Sequence, residues 1–267
     1  MNHNPIITLT TDFGFKDPFV GIMKGVILNI NPFANIVDIT HNITPQNIME
    51  AAVTIGMGFN YFPHKTIHVV IVDPGVGSVR KPIIVLTDYY CFVGPDNGIF
   101  SQIYSLQHEI LMVIHITSDH YFAKKSSTFH GKDIFAPVAA WLSRGIEVMK
   151  FGTLITDYVN TPIPSPTMPE KNIVEGEVIY IDRFGNTITN INAQQIENLY
   201  KNNPQDMLKV IGKGKEIPMK NHYSDAEDKR LYSLINSFNC LELFVYKGSA
   251  SSDFDIGIGE KVRVVKA

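Results

Sequence analysis

The chain has 267 residues, of which 45% are hydrophobic and 18% are charged, so its length allows one large or two ordinary domains and its composition excludes a disordered protein. A net charge of −3, without any long basic run, argues against a nucleic-acid partner. Cys91 and Cys240 belong to no CxxC pair, which argues against a disulfide framework and a thiolate zinc site.

The start of the chain lacks the basic and apolar segments of a secretion signal. No window of the sequence approaches 18 apolar residues in a row, the length that a membrane span needs. The sequence therefore predicts a cytoplasmic protein that makes no contact with a membrane.

Short apolar runs alternate with helical patterns over residues 1–160. Five of residues 67–72 are apolar and β-branched, which is typical of a strand buried on both faces. The other predicted elements are strands at 6–9, 35–39, 83–86 and 91–93 and helices at 19–30, 45–59 and 133–143. This alternation predicts an α/β domain with a mainly parallel sheet.

Four prolines in residues 161–172 interrupt this pattern, and they predict a semi-rigid linker because proline favours extended backbone. After the linker, short strands are predicted at 174–181, 187–191, 208–211, 241–245 and 261–265, with one helix at 193–200. Residues 173–267 are therefore predicted to form a smaller all-β domain with a barrel-like or sandwich architecture.

Asp12 and Asp73 each follow a predicted strand of the first domain. Open α/β sheets bind ligands at the carboxyl ends of their strands, so both carboxylates are candidate ligand-binding groups. Arg80 follows Asp73 by seven residues and is placed to fold back and pair with it. The sequence leaves two interpretations open for each carboxylate: a binding group, or a structural turn at Asp12 and a structural clip at Asp73.

Three further segments carry polar side chains at predicted loops. His130 precedes a predicted helix, as a ligand-facing imidazole or as a packing residue. Residues 182–186 contain an Asp, a Phe and an Asn that suit nucleoside binding but also suit a hairpin turn. Residues 94–98 combine Gly-Pro with Asn-Gly, which favours a structural turn. The histidines form no recognised metal motif, so no metal site is expected.

Taken together, these segments resemble the S-adenosylmethionine hydrolase (hydroxide adenosyltransferase) family, which is related to the fluorinase and chlorinase enzymes. The matching segments occur in family order over nearly the whole chain, at residues 11–14, 40–41, 45–46, 72–80, 94–98, 129–133, 182–186 and 237–243. Each segment is weak evidence alone, whereas the ordered set is specific. The resemblance implies a homotrimer with substrate bound between the N-terminal domain of one subunit and the C-terminal domain of its neighbour.

The resemblance also implies roles for individual residues. It places Asp73, Arg80 and His130 near the nucleophilic water and Asp12 at the ribose hydroxyls. The remaining implied substrate-binding residues are Phe184, Asn186 and Tyr223 at the adenine, Asp182 and Ser237 at the methionine end, and Phe13, Gln46, Glu242 and Ala250.

The family splits into enzymes that use water and enzymes that use halide. Asp73 stands where the halogenases carry an aromatic residue, and Gly131 stands where the fluorinase carries a serine. An anionic Asp73 would repel a halide but accept a hydrogen bond from water. We therefore expect hydrolysis of S-adenosylmethionine to adenosine and methionine by in-line attack at C5′, without metal or cofactor. By intrinsic pKa, His130 is a better base than Asp73, because an ionised carboxylate beside an arginine is a weak base. The alternatives are a chlorinase-type halogenase and a non-catalytic protein that binds adenosine or S-adenosylmethionine.

Overall fold

The computed structural model describes residues 4–106, 110–122, 128–200 and 208–266. It divides into two compact units, Met1–Ile163 and Pro164–Ala267. The predicted linker, residues 161–172, spans the division between them and includes an exposed strand, β8 (Thr167–Glu170). The domain limits drawn from the sequence stay a prediction.

The first unit is built on one seven-stranded sheet. In chain order its strands are β1 (Ile6–Thr11), β2 (Asn35–Thr40), β3 (Ile67–Ile71), β4 (Pro82–Thr87), β5 (Cys91–Pro95), β6 (Ile110–Ile116) and β7 (Gly152–Leu154). Its α-helices are α1 (Phe19–Ile30), α2 (Ile48–Gly58), α3 (Ser101–Leu106) and α4 (Ala136–Ser143). Single turns of 3-10 helix lie at Phe59–Tyr61, Asp119–Tyr121 and Val148–Phe151, and a π-helix lies at Gly131–Phe135.

The strand order of this sheet is β2-β1-β3-β5-β4-β6-β7. The pairs β2/β1, β1/β3 and β3/β5 are parallel, whereas β5/β4, β4/β6 and β6/β7 are antiparallel. The sheet is therefore mixed, and the expectation of a mainly parallel sheet was wrong. A short turn joins β4 to β5, and such a connection is long enough only for antiparallel neighbours.

The core of the first unit lies on both faces of the sheet. All residues of β3 are buried, as its β-branched side chains predicted. Val69 and Ile71 pack with residues of α1 and α4 on one face, whereas Val70 packs with residues of α2 and α3 on the other. Because side chains alternate along a strand, each face contributes a separate hydrophobic cluster. The sheet is thus covered by helices on both sides.

The second unit is an antiparallel β-structure. Besides β8 it contains β9 (Ile173–Ile181), β10 (Thr187–Asn192), β11 (Leu208–Gly212), β12 (Lys215–Ile217), β13 (Leu231–Ile235), β14 (Cys240–Val245) and β15 (Lys261–Lys266), with helices α5 (Ala193–Tyr200) and α6 (Ala250–Phe254). The strand order is β12-β11-β15-β9-β10-β14-β13, and β8 pairs with β9. A β-bridge between Met219 and Ser233 brings the two ends of this path together. The predicted barrel-like domain is confirmed.

Within the described residues, no helix combines the length and the apolar character needed to cross a bilayer. The cytoplasmic location stays a prediction.

Candidate active site

Two strand ends of the first unit bring acidic side chains to one edge of the sheet. Asp12 follows β1 directly and Asp73 follows β3 by two residues, and these strands are parallel neighbours. Their carboxyl ends therefore lie side by side, the usual position of a ligand site in an α/β sheet. A cavity of about 450 Å³ opens there, lined in part by Asp12, Gln46, Asp73 and His130.

Asp73, Arg80 and His130 form one hydrogen-bonded cluster. Nε of Arg80 donates to Oδ1 of Asp73 at 2.9 Å, and Nη2 of Arg80 donates to Oδ2 of the same carboxylate. Nη2 also lies 2.7 Å from Nδ1 of His130. The side chains of Arg80 and Asp73 are only 9% and 6% exposed, so this is a buried ion pair. The pairing that the seven-residue spacing predicted is present.

Arg80 does not line the cavity, unlike its two partners. Asp73 and His130 line the cavity, whereas Arg80 lies behind them with its guanidinium 5.3 Å from the centre of the Phe135 ring. Among the described residues, its buried Nη1 has no hydrogen-bond partner. A guanidinium bridging an anion and an imidazole fixes the positions of both side chains.

The contact with Arg80 also determines the tautomer of His130. Arginine carries hydrogen-bond donors and no acceptor, so Nδ1 of His130 must be the acceptor. A neutral imidazole with an unprotonated Nδ1 carries its proton on Nε2. In this state Nε2 of His130 is therefore a donor.

His130 lies at the start of an irregular helix. The π-helix Gly131–Phe135 follows it directly and leads into α4. A side chain on Gly131 would meet the ring of Phe129 at 2.8 Å, so only glycine fits at this position without a shift of the ring. Single π-turns inside helices are frequent at functional sites.

The carboxylate of Asp12 is held by the backbone of the neighbouring loop. Oδ2 of Asp12 accepts a hydrogen bond from the backbone N–H of Gln46 at 2.8 Å. Gln46 has a φ of 68°, a left-handed conformation that is uncommon for residues other than glycine. Strained backbone of this kind persists where the surrounding structure fixes it, as at binding sites.

Three phenylalanines form an aromatic wall of the cavity. The rings of Phe13, Phe19 and Phe129 contact one another edge to face, with centroids 5.1–5.8 Å apart. Phe13 was predicted as a site residue, whereas Phe19 and Phe129 were not. One signal in the sequence could have identified Phe19, because it is a large apolar residue at the first position of a predicted helix, outside the stripe of buried residues.

A second cavity of about 510 Å³ lies in the barrel-like unit. The predicted residues Asp182, Phe184, Asn186 and Tyr223 line it. The carboxylate of Asp182 accepts hydrogen bonds from the backbone N–H of Phe184 at 2.9 Å and of Asn186 at 2.8 Å, and from Nδ2 of Asn186 at 3.0 Å. Asp182 therefore stabilises the turn that carries Phe184, a residue that is 76% exposed.

Glu242 lies buried next to this cavity. Its carboxylate accepts hydrogen bonds from the hydroxyl of Tyr223 at 2.6 Å and from Nδ2 of Asn236 at 3.0 Å. Burial raises the pKa of Glu242. Burial and the hydrogen bond to Glu242 raise the pKa of Tyr223 as well. Glu242 does not line the cavity, but its hydrogen bond fixes the position of the Tyr223 hydroxyl, and its predicted contact with substrate stays a prediction.

Besides Arg80 and Glu242, two more predicted site residues line neither described cavity. Ser237 is exposed in the turn between β13 and β14. Ala250 is fully buried at the start of α6. The neighbouring Ser251 N–H donates to the carbonyl of Gly185, which ties α6 to the turn that holds Phe184. The sequence missed Tyr246 and Lys247, which line the cavity just after β14.

Comparison with known proteins places this geometry in a family. The SAM hydroxide adenosyltransferase N-terminal domain matches residues 7–152, and the C-terminal domain of the same family matches residues 176–263. A protein of Methanocaldococcus jannaschii named (R)-S-adenosyl-L-methionine hydrolase is 36% identical, with 97% of this chain and 95% of the relative covered. A fluorinase of Actinoplanes sp. is more distant, at 24% identity over 100% of this chain and 99% of the relative.

A solved structure resembles the whole chain. The crystal structure of a conserved protein from Thermotoga maritima superposes with a TM-score of 0.89 at 33% identity, and the match covers 97% of this chain and 100% of that one. The two family domains and the full-length relatives agree, so the chain belongs to the SAM hydroxide adenosyltransferase family.

Proposed function

We propose that the protein hydrolyses S-adenosylmethionine to adenosine and methionine by in-line attack of water on C5′ of the ribose. The observation that carries this proposal is the Asp73–Arg80–His130 cluster, of which Asp73 and His130 line a cavity beside Asp12. An ionised carboxylate at this wall suits a water nucleophile and disfavours a halide. Asp12 would hold the ribose hydroxyls at the neighbouring strand end.

The substrate is proposed to be the R form at sulfur. The M. jannaschii relative is named for (R)-S-adenosyl-L-methionine. Since the letter L already fixes the amino-acid carbon, the R designation describes the sulfonium centre. An in-line displacement depends on this configuration, because it decides where the methionine chain lies when C5′ faces the water.

The chemistry asks little of the protein beyond positioning. Methionine leaves a sulfonium as a neutral thioether, so no acid is required. As water bonds to C5′, its oxygen becomes a strongly acidic oxonium and passes its proton to a weak base. Because Nδ1 of His130 faces the Arg80 donor, we infer that Nε2 carries the proton, and we assign His130 the role of orienting donor and Asp73 that of proton acceptor. This assignment replaces the base role that intrinsic pKa alone gave to His130.

Exclusion of competing water would come from the aromatic wall. Phe13, Phe19 and Phe129 present apolar rings to the cavity, and apolar walls strengthen the electrostatic contacts within it.

Among the described residues, no cluster of three or more metal-ligating side chains occurs. The reaction is proposed to need neither metal nor cofactor.

The cavity of the second unit is proposed to hold the rest of the substrate. Phe184 and Asn186 would take the adenine together with Tyr223, while Asp182 would attract the ammonium group of methionine. By the family resemblance, these groups act on substrate held by the first unit of a neighbouring subunit in a homotrimer. Ser237 and Ala250 stay predicted contacts of this half.

The test uses purified protein and both sulfonium diastereomers of S-adenosylmethionine in water enriched in oxygen-18. The expected products are methionine and adenosine that carries the label at its 5′ oxygen, from the R form, with or without chloride and with or without a chelator. A chlorinated nucleoside would instead identify a halogenase. Ligand retained without turnover would identify a binding protein, and either result would overturn the proposal.

The shared site is tested by complementation. An inactive Asp73→Asn chain and an inactive Asn186→Ala chain are unfolded together, refolded and assayed against each variant treated alone. Activity that appears only in the mixture, together with a trimer mass by light scattering, would support sites completed between subunits. A monomer mass or a mixture without activity would contradict it.

A further inference from the structure

Asp73 and Arg80 lie on the loop that joins β3 to β4, and β5 lies between these two strands in the sheet. It pairs in parallel with β3 on one side and antiparallel with β4 on the other. Asp73 follows the end of β3, and Arg80 precedes the start of β4. The carboxyl end of β5 therefore lies between the attachment points of Asp73 and Arg80, at the same edge of the sheet.

The turn that follows β5 binds both neighbours. The backbone N–H of Asp96 donates to the carbonyl of Lys81, the residue after Arg80, at 2.8 Å. On the other side, Nδ2 of Asn97 donates to the carbonyl of Val72, the residue before Asp73, at 2.9 Å. Oδ1 of Asn97 accepts from the backbone N–H of Ile99 at 3.2 Å, which fixes the orientation of the amide.

The hydrogen bond to the Val72 carbonyl comes from the Asn97 side chain because the backbone of β5 cannot donate it. Pro95 ends the strand and has no N–H to extend the ladder towards β3. Gly94 approaches so closely that a side chain there would meet the carbonyl oxygen of Val70 at 2.4 Å. The Asn97 amide thus supplies the hydrogen bond that the ladder lacks, one residue before Asp73.

We propose that Asn97 is a positioning residue for the hydrolytic reaction, whose amide sets the place of Asp73 and, through the Arg80 guanidinium, that of His130. This inference rests on the proposed function, and it assigns a role to a segment that the sequence favoured as a structural turn. Asn97 lines neither described cavity, so it acts only through the residues that it holds.

The experiment compares two asparagines that make the same pair of bonds in different units. Asn190 donates from Nδ2 to the carbonyl of Pro164 at 2.6 Å and accepts on Oδ1 from the backbone N–H of Glu177 at 2.8 Å. Asn97→Asp and Asn190→Asp each remove one amide donor and keep the acceptor. Asn97→Ala and Asn190→Ala repeat the comparison without a new charge.

Both Asn97 variants are expected to lower kcat by about 10- to 100-fold with KM nearly unchanged, since small misplacements of reacting groups cost that much. Both Asn190 variants are expected to keep kcat while they lose a similar amount of thermal stability. Equal kcat for the Asn97 variants and wild type, or a loss seen only in KM, would overturn the proposal.

A second readout needs no turnover. In wild type, the nitrogen-15 NMR signal of His130 Nδ1 should report an unprotonated acceptor, and the Asn97 variants should shift that signal while the Asn190 variants should not. An unmoved His130 signal in folded Asn97→Asp would overturn the positioning role. Should wild type fail to hydrolyse S-adenosylmethionine, the proposed function falls, while this signal still decides whether Asn97 positions the cluster.

Discussion

Nη2 of Arg80 contacts Nδ1 of His130 at 2.7 Å and donates to Asp73 at the same time. One guanidinium therefore fixes a carboxylate and an imidazole, and it leaves the imidazole proton on Nε2. Because Arg80 lies behind the cavity lining, we describe it as a positioning residue rather than as a group that touches the substrate.

Arg80→Lys is expected to abolish most of the turnover. A single ammonium cannot reproduce the forked contact with Asp73 and the contact with His130, so a loss of about 100-fold in kcat is expected. The measurement is steady-state hydrolysis of S-adenosylmethionine. Arg263→Lys is the matched control, because Arg263 pairs with Glu175 at 2.5 Å on the surface of the second unit. Full activity of Arg80→Lys would contradict the assigned role.

Asp73→Ala is expected to destabilise the first unit. The Arg80 side chain is 9% exposed, and removal of its partner leaves a buried charge without compensation, at a cost of about 3–5 kcal/mol. Urea unfolding followed by circular dichroism measures this loss. The double variant Asp73→Ala/Arg80→Met should recover stability but no activity. If the double variant were no more stable than Asp73→Ala, the unpaired charge would not be the cause.

Phe184→Ala is expected to weaken substrate binding without destabilising the protein. Phe184 is 76% exposed, so removal of its ring should change the unfolding free energy by less than about 0.5 kcal/mol. Stacking of a base on an aromatic ring contributes about 1–3 kcal/mol, so KM should rise about 5- to 150-fold. Phe33→Ala is the control, because it removes another exposed ring in the first unit and should leave KM unchanged. An unchanged KM for Phe184→Ala would remove Phe184 from the adenine site.

His68 is expected to make the protein sensitive to acid. Burial lowers the pKa of His68 from 6.5 to about 3, and its Nδ1 lies 2.7 Å from Oγ1 of Thr8. The folded state therefore binds fewer protons than the unfolded state, so stability falls as the pH drops below 6.5 and continues to fall until about 3. From pH 6.5 to 4.5 the loss is on the order of 2 kcal/mol, because the slope rises from half to nearly all of 1.36 kcal/mol per pH unit over this range.

The check is urea unfolding of wild type and His68→Gln across this pH range. The variant should lose less stability on acidification, whatever its stability at neutral pH. His64→Gln replaces an exposed histidine that stacks on Tyr89, and it should keep the wild-type slope. Identical slopes for wild type and His68→Gln would show that His68 does not carry the acid sensitivity.

Local sequence patterns were enough to predict much of the architecture. The buried β3, the separate barrel-like unit and the Asp73–Arg80 pair each depend on residues close together in the chain, so periodicity and spacing carried the information. The parallel character of the sheet was overestimated, because periodicity shows where a strand lies and not which neighbour it joins.

The sequence by itself determined which chemical groups are present: two carboxylates at strand ends, an arginine seven residues after one of them, and a histidine ahead of a helix. Only the tertiary structure decided how they act. It placed Arg80 behind the cavity, gave Nδ1 of His130 an acceptor role and brought Asn97 against the strand end before Asp73. These contacts join residues 25 to 50 positions apart, and their geometry follows from strand order, which local patterns do not encode.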